Sequence, residues 1–344
     1  MDPYLRALKK AELLAAGPLQ VSRDFKPPFP LSKSTAGPGA GSTAVVIAFA
    51  GIRVKKAITY EEEEFTLSVS EGNYSIQHQG APFLEQVSLS PTLAHAPEQA
   101  FFNLATECIY NCKFCTSPSL KAQGATKSLS DEKILSLIKG YAQTGSLKAV
   151  ALTSAVVSTP QATIDRMSNL VRQIKKALPA MPVGVEPYVE NRAQIEQLKA
   201  AGADEIKLNI ETYDQEIFNK VCGEQDIIAI IDRLKEAVAI FGRGQVTSNI
   251  IYGMGETDEV VLAGCEYLAS LGCVATLRPL RLNSLNRPAM EAALGPLAPV
   301  SPERMVSLAQ RYKQILVNAQ LTTLSFKTMC HECTCCDIVP FRDI

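Results

Sequence analysis

Cys108, Cys112 and Cys115 stand together in the stretch ECIYNCKFC, and Cys330, Cys333, Cys335 and Cys336 in TMCHECTCCD, close to the last residue. These seven are the clustered members of ten cysteines; Cys222, Cys265 and Cys273 are scattered and read as buried apolar residues. Clustered thiols in a chain expected to be cytoplasmic point to metal binding or catalysis rather than to disulfides. Thiolates favour soft metals, chiefly zinc and iron–sulfur clusters. A closed structural zinc site takes four ligands, and C-x3-C-x2-C offers three. A [4Fe–4S] cluster on three cysteines would leave one iron open to a small molecule, as a catalytic zinc keeps one position open. The plainer readings are a zinc site completed by a distant ligand, or three unligated thiols.

The elements that must carry these thiols follow from the rhythm of the chain. After residue 100, short apolar runs (AFFNLAT, KAVALTS, PVGVEP, EIKLNIE, QVTSNIIYG, CVATLRPL) alternate with helical patterns at 130–144, 161–177, 192–201, 227–241 and 258–271. Ser130-Asp131-Glu132 and Ser301-Pro302-Glu303 are helix starts with acids in the first turn, and a last helix spans 302–319. Six β/α units in succession give an α/β fold on a parallel sheet, either open and doubly wound or curled into a full or partial barrel. In a barrel the working residues gather on the loops after the strands, and the first cysteine group directly follows the first run. Residues 1–100 differ: a short helix at 3–16, a Pro/Gly-rich stretch, then strand-like runs AVVIAFAG, EFTLSVS, NYSIQHQG and EQVSLSP. The segment AGPGAG (36–41) reads as a flexible turn, with an anion cradle as the alternative. The expected parts are a β-rich extension (1–100), the β/α body (101–320) and a cysteine tail (321–344) closing over the barrel mouth.

The totals narrow the function. The 344 residues carry 34 basic and 35 acidic side chains, a net charge of −1, which gives no footing for nucleic acid or a membrane surface. Tryptophan is absent and aromatics are 6% of residues, so a base-stacking platform is not expected. The longest apolar run, 44–52, is too short to cross a bilayer, and the N-terminus lacks the order of a secretory signal. The expectation is a soluble, cytoplasmic protein.

Cys108-x3-Cys112-x2-Cys115, with Phe114 before the last cysteine, resembles the signature of radical S-adenosylmethionine (radical SAM) enzymes, and the resemblance extends over residues 100–344. It implies a partial (β/α)6 TIM-like barrel and a [4Fe–4S] cluster on the three cysteines. The open iron of that cluster is chelated by S-adenosylmethionine, whose reductive cleavage gives a 5′-deoxyadenosyl radical that abstracts a substrate hydrogen. Cosubstrate contacts fall by resemblance on Phe114, on Thr153 and Ser154 after strand two, on Glu186 after strand three, and on Asn209 and Glu211 in KLNIET. Gly253 and Gly255 in NIIYGMGET, and Arg243 in FGRGQ, complete the set. FGRGQV, GMGE and the terminal C-x2-C-x2-C look like biotin- and lipoyl-synthase-like enzymes, especially the two-protein lipoyl synthases. That likeness implies an auxiliary [4Fe–4S] cluster on Cys330, Cys333, Cys335 and Cys336, sulfur insertion into a C–H bond, a small or carrier-borne substrate, a donor such as ferredoxin or flavodoxin, and a partner radical SAM protein. A structural zinc on the tail, with His331 as a candidate, stays open beside it. So do a rearrangement, dehydrogenation or cofactor-assembly outcome, and a non-catalytic iron–sulfur scaffold or carrier. Arg243, Arg278 and Arg281 could balance the negative charge of such a site.

Overall fold

A computed structural model describes residues 1–33 and 42–344; the AGPGAG segment lies outside the described residues. After helix α1 (Pro3–Ala15), six strands close into a small barrel: β1 (Leu19–Gln20), β2 (Ala44–Phe49), β3 (Ile52–Thr59), β4 (Phe65–Ser70), β5 (Asn73–His78) and β6 (Ala81–Ser90). The order around it is β1-β3-β2-β6-β5-β4, and β1 pairs in parallel with both β3 and β4 to close the ring. Closure leaves no open sheet edge.

The second body is one sheet. Its strands are β7 (Ala94–Ala96), β8 (Gln99–Asn103), β9 (Ala149–Thr153), β10 (Val183–Glu186), β11 (Glu205–Lys207), β12 (Val246–Tyr252) and β13 (Val274–Pro279). They lie in strict chain order, parallel from β8 to β13, with β7 antiparallel on β8. The crossover helices are α3 (Asp131–Gln143), α4 (Pro160–Ala177), α5 (Arg192–Ala200), α7 (Ile227–Phe241) and α8 (Asp258–Leu271), and α10 (Pro302–Asn318) follows β13. Short helices α2 (Ser117–Ala122), α6 (Gln215–Val221), α9 (Arg287–Leu294) and α11 (Met329–Cys333) sit in the loops. Six consecutive β/α units in sequential order make a curled sheet, the partial TIM-like barrel that the family resemblance implied and one of the forms the sequence pattern left open. Parallel strands covered on both faces read as continuous apolar runs, and β12 is buried along its whole length.

The helix starts have local causes. Ser130 Oγ accepts from Lys133 N with Asp131 and Glu132 in the first turn of α3. Thr159 caps α4 ahead of Pro160, and Thr257 caps α8 ahead of Asp258 and Glu259. Gly272 ends α8 at φ 92°, a left-handed position that suits glycine.

The tail corrects one expectation: it does not lie over the mouth where the strands end. It enters the barrel where the strands begin. Glu205, first residue of β11, accepts from Lys327 N (2.7 Å) and Thr328 N (3.1 Å). Gln99, first residue of β8, accepts from Met329 N and donates to Met329 O (3.3 Å). Thr328 Oγ1 lies where a Cβ on Gly184 of β10 would sit, so that strand must carry glycine for the tail to pass.

Near the end of the tail, buried Asp343 pairs with buried Lys10 of α1 at 2.7 Å and accepts from Val339 N at 2.6 Å. Lys10 also donates to Thr334 O. Lys10→Met leaves the Asp343 carboxylate buried without its counter-charge and costs on the order of 3–5 kcal/mol, read as a lower midpoint of urea unfolding, whereas Lys10→Met with Asp343→Leu costs much less.

Candidate functional site

The loop after β8 holds Cys108, Cys112 and Cys115, and every neighbouring turn grips it. Ile109 N donates to Val156 O (2.8 Å) after β9, and Lys113 N to Val221 O (2.9 Å) at the end of α6. Asn111 N donates to Glu224 Oε2 (2.7 Å), and Asn286 Nδ2 to Phe114 O (2.8 Å). Tyr110 packs on Tyr188 beyond β10, ring centroids 4.9 Å apart. The sulfurs are treated differently. Ser117 N donates to Cys115 Sγ (3.4 Å), and burial pushes the Cys115 thiol up. Cys112 Sγ receives Gln225 Nε2 at 3.2 Å and the thiol of Cys222. Cys222 is buried, as the sequence reading held, but it is no bystander: its hydrogen bond to Cys112, and then burial, push its own thiol far up. Three soft donors on one well-held loop, at the strand-end face of a β/α barrel, fit the ligand set of a thiolate-bound iron–sulfur cluster.

Below this loop the lumen carries a closed ring of polar contacts. Cys330 Sγ accepts from Arg278 Nη2 (2.7 Å) and from Lys207 Nζ (3.4 Å). Arg278 Nε donates to Asn249 Oδ1 (3.3 Å), Asn249 N to Asn209 Oδ1 (3.0 Å), and Asn209 Nδ2 to Glu186 Oε1 (2.9 Å). Glu186 returns to Lys207 at 3.5 Å. Burial alone would neutralise Lys207, but Cys330 and Glu186 outweigh it and raise its pKa. A bulge aims the next carboxylate: Lys207 pairs with Thr247 and Glu211 with Ile250, four residues on one strand against three on the other. Glu211 sits at φ 60°, its Oε2 sealed without a hydrogen-bond partner. Burial, and then the charge of Glu186, push its carboxyl up to about 7.

The four tail cysteines line one small pocket, with Asp337, Arg278, His95, Ala96, Phe101 and Met329 around them. Strand β3 closes its side: Arg53 Nε donates to Cys333 O (2.9 Å), Arg53 Nη2 to Glu332 O (2.7 Å), and Lys55 N to Cys335 O (3.0 Å). The Cys333 thiol is drawn down to about 6, first by the Cys335 side chain and then by Lys55 and Arg53, against its burial. Burial pushes up both Cys330 and Cys335. Among the described residues no three His, Cys, Asp or Glu side chains meet tightly enough for a single metal ion. The four tail thiols share one pocket without converging on a single point. His331 packs on Phe326 (5.0 Å between rings) and does not line that cavity; burial holds it neutral, its pKa about 3.

The expected contacts divide by place. Glu186, Asn209 and Glu211 meet in the lumen. Thr153 ends β9, its Oγ1 donating to Glu186 O (3.3 Å), and Ser154 Oγ turns to Ala155 O (2.8 Å). Gly253 (φ 96°) and Gly255 (φ 111°) form the turn after β12, which Glu256 fastens by accepting from Gly253 N (2.6 Å) and Met254 N (2.8 Å). Arg243 is a correction. It precedes β12, so it lies at the strand-start end, and it donates to Ala319 O beyond α10; it is not placed to reach a cosubstrate at the mouth. Sequence reasoning missed Lys207, Gln225, Arg53 and Lys55. Lys207 alone left a signal, a charge within an otherwise apolar strand.

With this geometry in hand, the class is defined: residues 102–267 match the family model of the radical SAM superfamily, and the chain is a radical SAM superfamily member, similar to lipoyl synthases. The lipoyl synthase of Caldanaerobacter subterraneus subsp. tengcongensis is 25% identical over half of this chain, and that of Caldicellulosiruptor saccharolyticus 26%. The chain spans 60% of the length of either relative. Among solved structures, methylornithine synthase (PylB) superposes with a TM-score of 0.52 at 18% identity, over 62% of each chain. The [FeFe]-hydrogenase maturase HydG from Carboxydothermus hydrogenoformans gives 0.53 at 16%, over 64% of this chain and 52% of its own. At such identities these two show the fold alone. Superfamily membership implies a [4Fe–4S] cluster and S-adenosylmethionine. No helix among the described residues is long and apolar enough to cross a membrane.

Glu211 gives the site a pH signature. Its carboxyl titrates near 4.5 when free and about 7 when folded, so the folded state holds the proton more tightly between those values. The stabilisation is full below pH 4.5 and is lost as pH rises through 7, a slope worth on the order of 3 kcal/mol. Urea unfolding across that window is expected to flatten in Glu211→Gln.

Proposed function

We propose that the chain reductively cleaves S-adenosylmethionine and uses the radical on a substrate held in the barrel lumen. Its three parts work together: residues 1–100 as a β-rich extension, 101–320 as the barrel and 321–344 as the tail. Cys108, Cys112 and Cys115 hold the catalytic [4Fe–4S] cluster, and Cys330, Cys333, Cys335 and Cys336 hold a second one. The first cluster, when bound, supplies the electron that splits the sulfonium and releases the 5′-deoxyadenosyl radical. Phe114, Thr153 and Ser154 flank the cosubstrate at the mouth, Gly253 and Gly255 let its adenine approach the backbone, and Glu186, Asn209 and Glu211 accept its hydroxyl and amino protons. The observation that carries this reading is a three-thiol loop after β8 together with a four-thiol tail whose Cys330 joins the polar ring of Arg278, Asn249, Asn209, Glu186 and Lys207 inside the barrel. A low-potential donor such as ferredoxin or flavodoxin fits the electron demand.

The finer outcome is sulfur insertion, with the tail cluster as the sulfur source, supported by the similarity to lipoyl synthases. A second reading keeps the opening chemistry without sulfur donation. The ring favours it, because an alkyl chain passing Lys207, Glu186 and Arg278 would leave buried charges facing hydrocarbon. A polar substrate, small or carried on a protein, satisfies them.

Anaerobic reconstitution with iron and sulfide, followed by assay under strong reductant, tests the whole. The full chain is expected to form 5′-deoxyadenosine. Cys112→Ala is expected to abolish it, and Cys333→Ala to lose the iron of one cluster while still cleaving S-adenosylmethionine. Iron that binds with no 5′-deoxyadenosine formed would leave only a scaffold or carrier. Loss of the tail iron during a single turnover marks sulfur insertion; its retention marks the second reading.

A further inference from the structure

The linker between α6 and α7 carries two side chains that point at one sulfur. Gln225 Nε2 donates to Cys112 Sγ at 3.2 Å, and the Cys222 thiol hydrogen-bonds the same Cys112 side chain. Cys115 is served from within its own loop, by the backbone N–H and the side chain of Ser117, and no hydrogen bond reaches Cys108 Sγ among the described residues. The linker is fixed to the cysteine loop it serves. Lys113 N reaches Val221 O (2.9 Å), Asn111 N reaches Glu224 Oε2 (2.7 Å), and Gln225 N closes back on Cys222 O (2.8 Å). Cys222 is 2% exposed, so water does not compete for its bond. Cys112 is thus the thiol of the set whose hydrogen bonds come from outside the cysteine loop.

We infer that Gln225 and Cys222 are positioning residues that set the reduction potential of the cluster held by Cys108, Cys112 and Cys115, by donating hydrogen bonds to the Cys112 sulfur. The inference rests on the cluster assignment proposed above. An electron added to an iron–sulfur group spreads negative charge onto its ligand sulfurs. A donor aimed at a ligand sulfur therefore stabilises the reduced state more than the oxidised one and raises the potential. Two donors on Cys112 ease delivery of an electron from a biological carrier, and they also hold that ligand in place within a loop otherwise tied by its backbone. An apolar residue of the same size at 225 would fill the space equally well and lose the effect, which separates tuning from packing.

The experiment is a potentiometric titration, followed by electron paramagnetic resonance, of the anaerobically reconstituted full chain and of Gln225→Leu, Cys222→Ala and Cys222→Ser. The first-cluster signal is identified by its change on adding S-adenosylmethionine. Gln225→Leu and Cys222→Ala are expected to shift its midpoint to more negative potential with iron content unchanged. Cys222→Ser, which keeps a donor, is expected to stay near the parent. Should Gln225→Leu fold poorly, the alanine–serine contrast at 222 carries the same test. Midpoints equal to the parent at equal iron content overturn the inference and leave the function standing. A parent with iron but no response to S-adenosylmethionine, gained on Cys222→Ala, makes Cys222 a fourth ligand and also overturns it. A parent with no iron at this loop sinks the function and this inference together.

Discussion

The arrangement depends on one act of threading: the tail passes through the strand-start end of the barrel and stays there. A chain segment inside a sheet barrel brings backbone N–H and C=O groups that must be paired. Glu205 and Gln99 pair them. One carboxylate takes the N–H groups of Lys327 and Thr328, and one amide takes both the N–H and the C=O of Met329. Burial pushes the Glu205 carboxyl up, opposed by those same donors. Gly184 leaves the space and the Lys10–Asp343 pair latches the end. Without these fastenings Cys330 would not stand in the lumen.

Once Cys330 is there, charge balance governs what surrounds it. Lys207 and Arg278 are cations inside a protein, tolerable only with partners close by. Their partners are Cys330, Glu186 and Asp337, the last at 3.6 Å from Arg278. Each member of the ring thus justifies another, and the two asparagines carry the contacts across the strands. A lumen built this way suits a bound group that is polar or negative on its tail side.

Much of the barrel was legible because its signals are local. The helices at 227–241 and 258–271 begin and end where the apolar period and the Asp226 and Thr257 caps place them. Strand β3 escaped notice because Lys56, directly after Lys55, breaks its alternation, although it is bound: Lys56 donates to Leu13 O and Ala16 O at the end of α1. Those charges read as solvent-facing in a sequence and become buried contacts only through pairings between distant segments. Arg243 failed for the opposite reason. Its motif suggested a ligand, but its position before a strand sends it to the far end of the sheet. Gln225 and Glu224 left no signal, because their partner lies more than a hundred residues away.

Barrel enzymes place chemistry on the loops after the strands and leave the strand-start face to stability. Here the lumen carries thiols as well, and they stand there only because the tail is threaded. That placement removes the tail site from the barrel alone. Arg53 and Lys55 hold Cys333 and Cys335 from the N-terminal barrel, while Arg281, beyond β13, holds Cys336 O at 2.9 Å. Residues from all three parts of the chain therefore enclose one cavity. The small β-barrel is a wall of that site rather than a separable appendage, and its charged strand β3 is explained by the sulfur-rich segment it covers.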